Sequence, residues 1–256
     1  MAYTIAVAGK GGTGKTTITG LLIHYLAKLG TGPVLAVDAD ANSNLNEVLG
    51  VPMGMTLGDL REELERGDMM EVSPIPPSMS KADYTELKFA SALTEMDDYD
   101  MIVMGRTQGS GCYCFVNGLL QHQIQKFGGA YKYVVVDNEA GMEHISRGVL
   151  PAVDCVLLVS DCSRRGVQAV GRIQQLVRDL RLNPTKMGLV VNRAPNGVLS
   201  DGIREEIELQ GLELIAVVPQ DSQVYDYDSQ GRPLVDLPED APVKVAVREL
   251  VKLIAE

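Results

Sequence analysis

The sequence predicts an α/β fold in which a mainly parallel β-sheet carries helices on both faces. Short apolar runs of strand length alternate with helical patterns, and a glycine-rich loop directly follows the first apolar run. The chain has 256 residues, enough to bury one large core. Because no linker-like composition divides it, residues 1–256 are expected to form a single domain.

The individual elements are predicted from the spacing of apolar residues. Tyr3–Ala8 is a buried-strand pattern, and Lys15–Leu29 has a helical pattern that Gly30 stops. The further predicted strands are Val34–Val37, Met101–Met104, Tyr133–Val136, Cys155–Val159, Met187–Val191 and Leu214–Val218. The further predicted helices are Leu57–Leu64, Ala82–Met96, Cys114–Lys126, Arg164–Leu180, Ser200–Leu209 and Pro242–Ala255.

The amino-acid composition disfavours two classes of binding partner and a disulfide scaffold. The net charge of −11 disfavours nucleic acid and anionic membranes, so neither is expected as a partner. Four cysteines are too few for a disulfide scaffold in a chain of this length. The sequence shows no signal-peptide pattern and no apolar run long enough to span a bilayer, and it therefore predicts a cytoplasmic protein.

The loop after the first strand has the pattern of a phosphate cradle. It matches G-x-x-x-x-G-K-[ST] and lies between a strand and a helix, as this motif requires. The residues assigned to the nucleotide site here are Gly9, Lys10, Gly11, Gly12, Thr13, Gly14, Lys15, Thr16 and Thr17. Lys15 is expected to reach the β- and γ-phosphates, and Thr16 to offer its hydroxyl to Mg²⁺. The predicted fold is therefore a P-loop NTPase.

Two acidic loops follow other predicted strands. Asp38 and Asp40 come after the second strand, at the carboxyl edge where ligands bind in open α/β sheets. Asp137 follows three valines, which is the Walker B arrangement, and it is expected to hold Mg²⁺ through water. Either loop alone could be an ordinary solvated turn, but together with the phosphate cradle they favour a nucleotide site.

The glycine-rich loop contains another lysine, Lys10, in addition to Lys15 of the motif. With Lys10 in this position, the sequence resembles the MinD/ParA/nitrogenase-iron-protein group of deviant Walker A ATPases. The resemblance implies a face-to-face homodimer in which Lys10 acts on the nucleotide of the partner subunit. It also implies that Asp40 positions or activates the attacking water, and that Gly141 belongs to the second switch loop. Lys10, Lys15 and Asp40 are the expected catalytic residues.

The base pocket is predicted from two later strand ends. The resemblance puts Asn192 and Arg193 at one of them and Pro219 and Asp221 at the other, around an adenine. Neither place has the Asn-Lys-x-Asp motif that reads guanine. ATP is therefore the expected nucleotide.

Cys112 and Cys114 are two residues apart in a glycine-rich loop. Two thiolates leave a soft metal ion half coordinated, whereas a symmetric dimer supplies four across its two-fold axis. The same pair could instead be two small buried hydrophobes or a redox dithiol. The motif alone leaves these three interpretations open.

A narrower resemblance follows from the surrounding string. Met104-Gly105-Arg106 and Gly109-x-Gly111-Cys112-Tyr113-Cys114, followed by Asn117, resemble the CooC-type nickel-insertion ATPases, and the similarity covers essentially the whole chain. It implies that Cys112 and Cys114 bind Ni²⁺, or Zn²⁺, at the dimer interface. It also implies a client nickel enzyme, either carbon monoxide dehydrogenase or acetyl-CoA synthase.

Two other functions compete with this one. The first is a positioning ATPase of the MinD or ParA type, and the second is a reductase that resembles the nitrogenase iron protein and holds a [4Fe–4S] cluster. Cys155 is expected in the core and Cys162 at a packing position. The three histidines show no ligand spacing with the pair, and the sequence assigns no role to Glu139.

Overall fold

The computed structural model of the chain describes residues 2–69, 75–106, 118, 120–122, 124, 129–140 and 152–255. The strands in this part are β1 (Tyr3–Gly9), β2 (Val34–Ala39), β3 (Leu93–Glu95), β4 (Tyr99–Val103), β5 (Tyr133–Asn138), β6 (Cys155–Asp161), β7 (Lys186–Ala194) and β8 (Leu214–Pro219). They form one eight-stranded sheet in the order β3-β4-β2-β5-β1-β6-β7-β8. Its strand pairs are parallel except for β3 with β4.

Helices cover both faces of this sheet, as the sequence predicts. They are α1 (Lys15–Lys28), α2 (Leu45–Leu49), α3 (Leu57–Met69), α4 (Lys81–Ala92), α5 (Arg164–Asp179), α6 (Asp201–Leu209), α7 (Ser222–Ser229) and α8 (Pro242–Ile254), with 3-10 turns at Pro195–Gly197 and Leu234–Asp236. One core cluster joins α3, α4, α5 and α6 to the sheet, and the other joins α1, α2 and α8 to its opposite face. The central strands are buried on both sides, which explains their continuous apolar runs.

The prediction of one helix over Ala82–Met96 is wrong at its C-terminal end. The helix α4 begins after Ser80, whose hydroxyl caps it by accepting the Asp83 backbone N–H at 3.1 Å. It ends at Ala92, and Leu93–Glu95 instead pairs antiparallel with β4. Three residues are too few for strand alternation to be distinguished from helical spacing, so the sheet pairing decides their conformation.

Other boundaries shift without changing the order of elements. The helix predicted over Leu57–Leu64 continues to Met69, and β2 extends to Ala39. Residues 118, 120–122 and 124 are helical, whereas the rest of the predicted helix Cys114–Lys126 lies outside the described residues. In the described part of the chain, every helix is too short or too polar to cross a bilayer.

Candidate functional site

The P-loop, residues 9–16, lies between β1 and α1 at the carboxyl edge of the sheet. Gly9 pairs with Val159 of β6, and a Cβ atom on Gly9 would clash with the Val159 carbonyl oxygen. Gly12 and Gly14 have φ values of 78° and 87°, a region that favours glycine. The buried Thr13 hydroxyl donates to the Lys10 carbonyl at 2.9 Å. The loop therefore has the curled backbone that its sequence predicts.

The two P-loop lysines have different surroundings. Lys15 is only 7% exposed, and its Nζ donates to the Lys10 carbonyl at 3.4 Å, so it lies inside the loop. Lys10 is exposed, and its side chain makes no hydrogen bond or ion pair with any residue that the structure describes. Lys15 thus lies within the P-loop of its own chain, whereas Lys10 faces outward.

A buried carboxylate lies beside the start of α1. Asp137 is 1% exposed, and its Oδ1 lies 3.0 Å from the Thr19 hydroxyl. Burial raises the pKa of Asp137 to about 6, an effect that hydrogen bonds from Thr16 and Thr19 and the charge of Lys15 oppose. A threonine hydroxyl beside a carboxylate is a hard oxygen donor set, which fits Mg²⁺. Thr16 and Asp137 would hold this ion, and its charge would favour the ionised carboxylate.

Asp38 is a second buried carboxylate, paired in register with Asp137 on the neighbouring strand. Burial and the charge of Asp137 raise its pKa to about 7. Asp38 Oδ1 accepts the Asp40 backbone N–H at 3.0 Å, and Oδ2 accepts that of Leu45 at 3.0 Å. Asp38 therefore anchors both ends of the loop that carries Asp40, residues 40–44, which is called the Asp40 loop below.

A cavity of about 370 Å³ joins the P-loop to the acidic loops. The residues that line it are Gly11, Gly12, Gly14, Lys15, Thr16, Asp40, Asn42, Asn44, Glu139, Ala140 and Arg193. Predicted site residues that follow β1 and β2 thus share one space with Arg193 of β7. The P-loop amides and Lys15 make this space suitable for a polyphosphate.

A second cavity of about 400 Å³ lies on the other side of Arg193. The residues that line it are Thr17, Asn192, Arg193, Pro219, Gln220, Asp221, Val224, Tyr225, Asp228, Leu234 and Val243. The four residues that the sequence assigns to the base pocket, namely Asn192, Arg193, Pro219 and Asp221, therefore lie close together, and Thr17 of the predicted phosphate-binding loop lies beside them. The space has the position expected of a base pocket next to the phosphates.

Two of the predicted base-pocket residues also have structural partners. The Asn192 Nδ2 donates to the Thr13 carbonyl at 2.9 Å, and its Oδ1 accepts the Arg193 backbone N–H at 2.9 Å. Asp221 caps α7 by accepting the Gln223 N–H at 3.0 Å. Asn192 thus fixes the P-loop against β7, a role that sequence reasoning missed because the contact joins residues far apart in the chain.

Sequence reasoning missed Thr19 as a site residue, and it missed the anchoring role of Asp38. Thr19 lies one helical turn after Thr16 and is fully buried, so its polar side chain on a buried face was the available signal. For Asp38 the signal was an acid at the end of an apolar strand. Because the predicted strand ends at Val37, the sequence places Asp38 in the loop that follows it.

The predicted metal ligands Cys112 and Cys114 lie outside the described residues, as do Gly141 and His144. Among the residues that are described, no group of three or more His, Cys, Asp or Glu side chains could hold a metal ion. Cys155 is buried in β6, and burial raises its pKa to about 12, as expected of a core thiol. Cys162 is half-buried and packs against the core.

Comparisons with known proteins agree with this geometry. The sequence profile of CbiA, the CobQ/CobB/MinD/ParA nucleotide binding domain, matches residues 4–234. An uncharacterized ATP-binding protein of Methanocaldococcus jannaschii is 42% identical over 252 residues, which cover 98% of this chain and 97% of that protein. The carbon monoxide dehydrogenase accessory protein CooC of Rhodospirillum rubrum is 29% identical over 267 residues, with 91% and 89% covered.

A solved structure shows the same fold. The septum site-determining protein MinD of Pyrococcus horikoshii, complexed with Mg-ADP, superposes with a TM-score of 0.72 at 20% identity. The superposition covers 100% of this chain and 97% of that one.

Proposed function

The chain belongs to the CobQ/CobB/MinD/ParA nucleotide-binding family of P-loop ATPases, and on that premise we propose that it is a metallochaperone ATPase. In this proposal two copies bind one Ni²⁺ ion through Cys112 and Cys114 and assist its insertion into a nickel enzyme. The client is carbon monoxide dehydrogenase or acetyl-CoA synthase. Zn²⁺ would compete for the same thiolates.

The observation that carries this proposal is the similarity to CooC of Rhodospirillum rubrum, which extends over 91% of the chain. That relative is an accessory protein of carbon monoxide dehydrogenase by its name. The Cys112-Tyr113-Cys114 sequence supplies the thiols that such a role requires.

The P-loop geometry supports the dimeric part of the proposal. Lys10 is exposed, while Lys15 already lies inside the loop. In a face-to-face dimer, Lys10 would reach the nucleotide of the partner subunit and act in trans, as an arginine finger does. The same two-fold contact would bring the four thiolates together.

The chemistry proposed for the nucleotide uses the residues around the phosphate cavity. Lys15 and the loop amides bind the β- and γ-phosphates, while Asp40 positions the attacking water. Thr16 and Asp137 would hold Mg²⁺, which would neutralise charge on the phosphates when it is bound. The second cavity would take adenine, with Asn192, Arg193, Pro219 and Asp221 around it.

An anaerobic Ni²⁺ titration tests the metal site. We expect the double variant Cys112→Ala/Cys114→Ala to lose nickel binding, because it removes every thiolate that the proposal assigns to the ion. The variant Cys162→Ala is the matched control and should bind as the wild type does, since that thiol packs against the core. Unchanged nickel binding by the double variant would reject the site.

A second experiment tests the client. The nickel-free forms of carbon monoxide dehydrogenase and acetyl-CoA synthase are each incubated with the protein, Ni²⁺ and ATP, and incorporated nickel is measured. One enzyme should gain nickel faster than it does with Ni²⁺ alone, and the gain should require ATP and the cysteine pair. If neither enzyme gains nickel faster, the client assignment is wrong even when the protein binds nickel.

The competing positioning function has support from other relatives. MinD of Bacillus subtilis is 25% identical over 256 residues. A membrane-binding helix, however, needs a free apolar face, and α8 buries Val243, Val247, Leu250, Val251 and Ile254 against the sheet. ATP-dependent co-sedimentation with anionic liposomes would favour the positioning function over nickel insertion.

A further inference from the structure

A hydrogen-bonded chain of three side chains leads into the Asp40 loop from β4. The Arg106 Nη2 donates to Asn42 Oδ1 at 2.5 Å. The Asn42 Nδ2 and backbone N–H both donate to Asp40 Oδ1, at 3.1 and 2.8 Å. One amide therefore connects a guanidinium to the carboxylate that is proposed to position the attacking water.

The backbone that carries Arg106 is held firmly against two neighbouring elements. The Met104 N–H donates to the Asp38 carbonyl at 2.8 Å, and the Met104 carbonyl accepts the Gly58 N–H at 2.9 Å. Gly105 has a φ of 67°, and a Cβ atom on Gly58 would clash with the Arg106 carbonyl oxygen. Arg106 therefore projects from an anchored turn, whereas Asp40 and Asn42 lie on a loop.

The positive charge of Arg106 can act on Asp40 without direct contact between the two side chains. The guanidinium is exposed, and in the described part of the chain it forms no ion pair and its hydrogen bond goes to the neutral amide of Asn42. A cationic donor polarises an amide and strengthens the bond that the amide donates in turn. The arrangement thus holds the Asp40 carboxylate in one orientation without a direct arginine–aspartate contact that would occupy its oxygens.

We propose that Arg106 is a positioning residue for ATP hydrolysis, which acts through Asn42 on the Asp40 carboxylate. The inference rests on the proposed role of Asp40. Arg106 does not bind the nucleotide in this account, so it should affect kcat and leave ATP affinity almost unchanged.

Steady-state ATP hydrolysis by variants tests the proposal. Arg106→Ala should lower kcat about tenfold, as expected for loss of a charge-assisted bond that orients a reacting group, while KM stays within about twofold. Arg106→Lys should recover most of the loss, because an ammonium can still donate to Asn42 Oδ1. Arg172→Ala, which removes an exposed arginine of α5, is the control and should match the wild type.

The double variant Asn42→Ala/Arg106→Ala tests whether Arg106 acts on Asp40 through Asn42 or by another route. If Arg106 acts only through Asn42, the double variant should be no slower than Asn42→Ala alone. Additive losses, or a wild-type kcat for Arg106→Ala beside an inactive Asp40→Asn, would overturn the proposal. Wild-type hydrolysis by Asp40→Asn would instead show that the proposed role of Asp40 is wrong, and the inference about Arg106 would fail with it.

Discussion

At the scale of single residues, burial raises the pKa of the two carboxylates in the site, Asp38 and Asp137. Asp38 and Asp137 are paired in register on adjacent strands, and both are almost fully buried. Two such carboxylates repel each other, and the charge of Asp137 adds to burial in raising the pKa of Asp38. Mg²⁺ at Thr16 and Asp137 would remove this repulsion, which ties metal binding to the stability of the site.

The residues of the phosphate-binding loop could be predicted from the sequence because their chemistry fixes their types and spacing. A phosphate cradle requires glycines, a lysine and a hydroxyl at fixed spacing, so Gly9 to Thr16 are recognisable one by one. The bond from Asn192 to the Thr13 carbonyl joins residues 179 positions apart. The bond from Arg106 to Asn42 spans 64 positions. Contacts of this kind depend on strand order, which local patterns do not contain.

Substitutions of the two P-loop lysines should affect ATP binding and ATP hydrolysis differently. Lys15→Ala should abolish ATP binding, because Lys15 is the buried cation inside the loop. Lys10→Ala should keep ATP affinity within about threefold but lower kcat at least about a hundredfold, as expected when a cation that acts in trans is removed. ATP affinity is measured by fluorescence titration and kcat by phosphate release. Equal loss of affinity in both variants would contradict a role for Lys10 on the partner's nucleotide.

At the scale of elements, one polar cluster fastens α8 to α1. The Lys244 side chain is 2% exposed, and its Nζ donates to the carbonyls of Val235 and Leu237 at 2.9 and 2.8 Å. It also pairs with Glu239, which in turn accepts from the Tyr25 hydroxyl at 2.8 Å. The cluster lies on the same face as the second core and fixes the segment before α8.

Element prediction succeeded where a pattern was long and failed where it was short. The strand at Tyr133 and the helix that begins at Arg164 occur where the apolar spacing predicts them. The five-residue helix α2, the eight-residue helix α7 and the three-residue strand β3 were not predicted. A segment of eight residues or fewer is no longer than about two turns of helix, which is too short for its own sequence to fix its structure. Tertiary contacts therefore determine its conformation.

Replacement of the buried lysine should destabilise the fold. Lys244→Met should lower the free energy of unfolding by about 2 kcal/mol, because the carbonyls of Val235 and Leu237 lose their donor. Lys252→Met in the same helix is the control; that side chain is 61% exposed and should change the free energy by less than about 0.5 kcal/mol. Urea unfolding monitored by circular dichroism measures both values. Equal stability of the two variants would contradict the assigned role.

The same cluster predicts a pH dependence. Hydrogen bonds from Lys28, Lys244 and Tyr25 lower the pKa of Glu239 from 4.5 to about 2. Because the folded-state pKa is the lower one, the stabilisation is fully present above pH 4.5 and is lost as pH falls towards 2. Glu239→Gln should therefore lower the free energy of unfolding at pH 7 by about 1 kcal/mol, a value discounted because the side chain is half-exposed.

Stability curves of Glu239→Gln and the wild type, measured by urea unfolding at several pH values, test this dependence. The gap between them should be constant from pH 7 to about pH 5 and should close at lower pH. A gap that stays constant down to pH 3 would show that Glu239 is not held as an anion by this cluster.

At the scale of the whole molecule, the sheet brings distant strand ends to one edge. The P-loop follows β1, the Asp40 loop follows β2, and Asp137 and Asn192 lie near the ends of β5 and β7. Because these strands are parallel, every one of these groups lies at the same edge. The sequence predicted this convergence from the alternation of strands and helices, although it did not predict the order of the strands.

In the proposed function, a second copy of the chain would explain both the outward-facing Lys10 and the cysteine pair. A single copy offers at most two thiolates from the pair to a metal ion that prefers four ligands. Two copies placed face to face would complete the coordination and would also bring each Lys10 to the partner's nucleotide. The proposed metal site and the proposed trans lysine therefore depend on the same assembly.

Native mass spectrometry of the nickel-loaded protein under anaerobic conditions tests this dependence most directly. The mass should correspond to two chains and one Ni²⁺, and the double variant Cys112→Ala/Cys114→Ala should yield no nickel-bearing dimer. A nickel-bearing species with the mass of one chain would contradict a metal site shared between two copies.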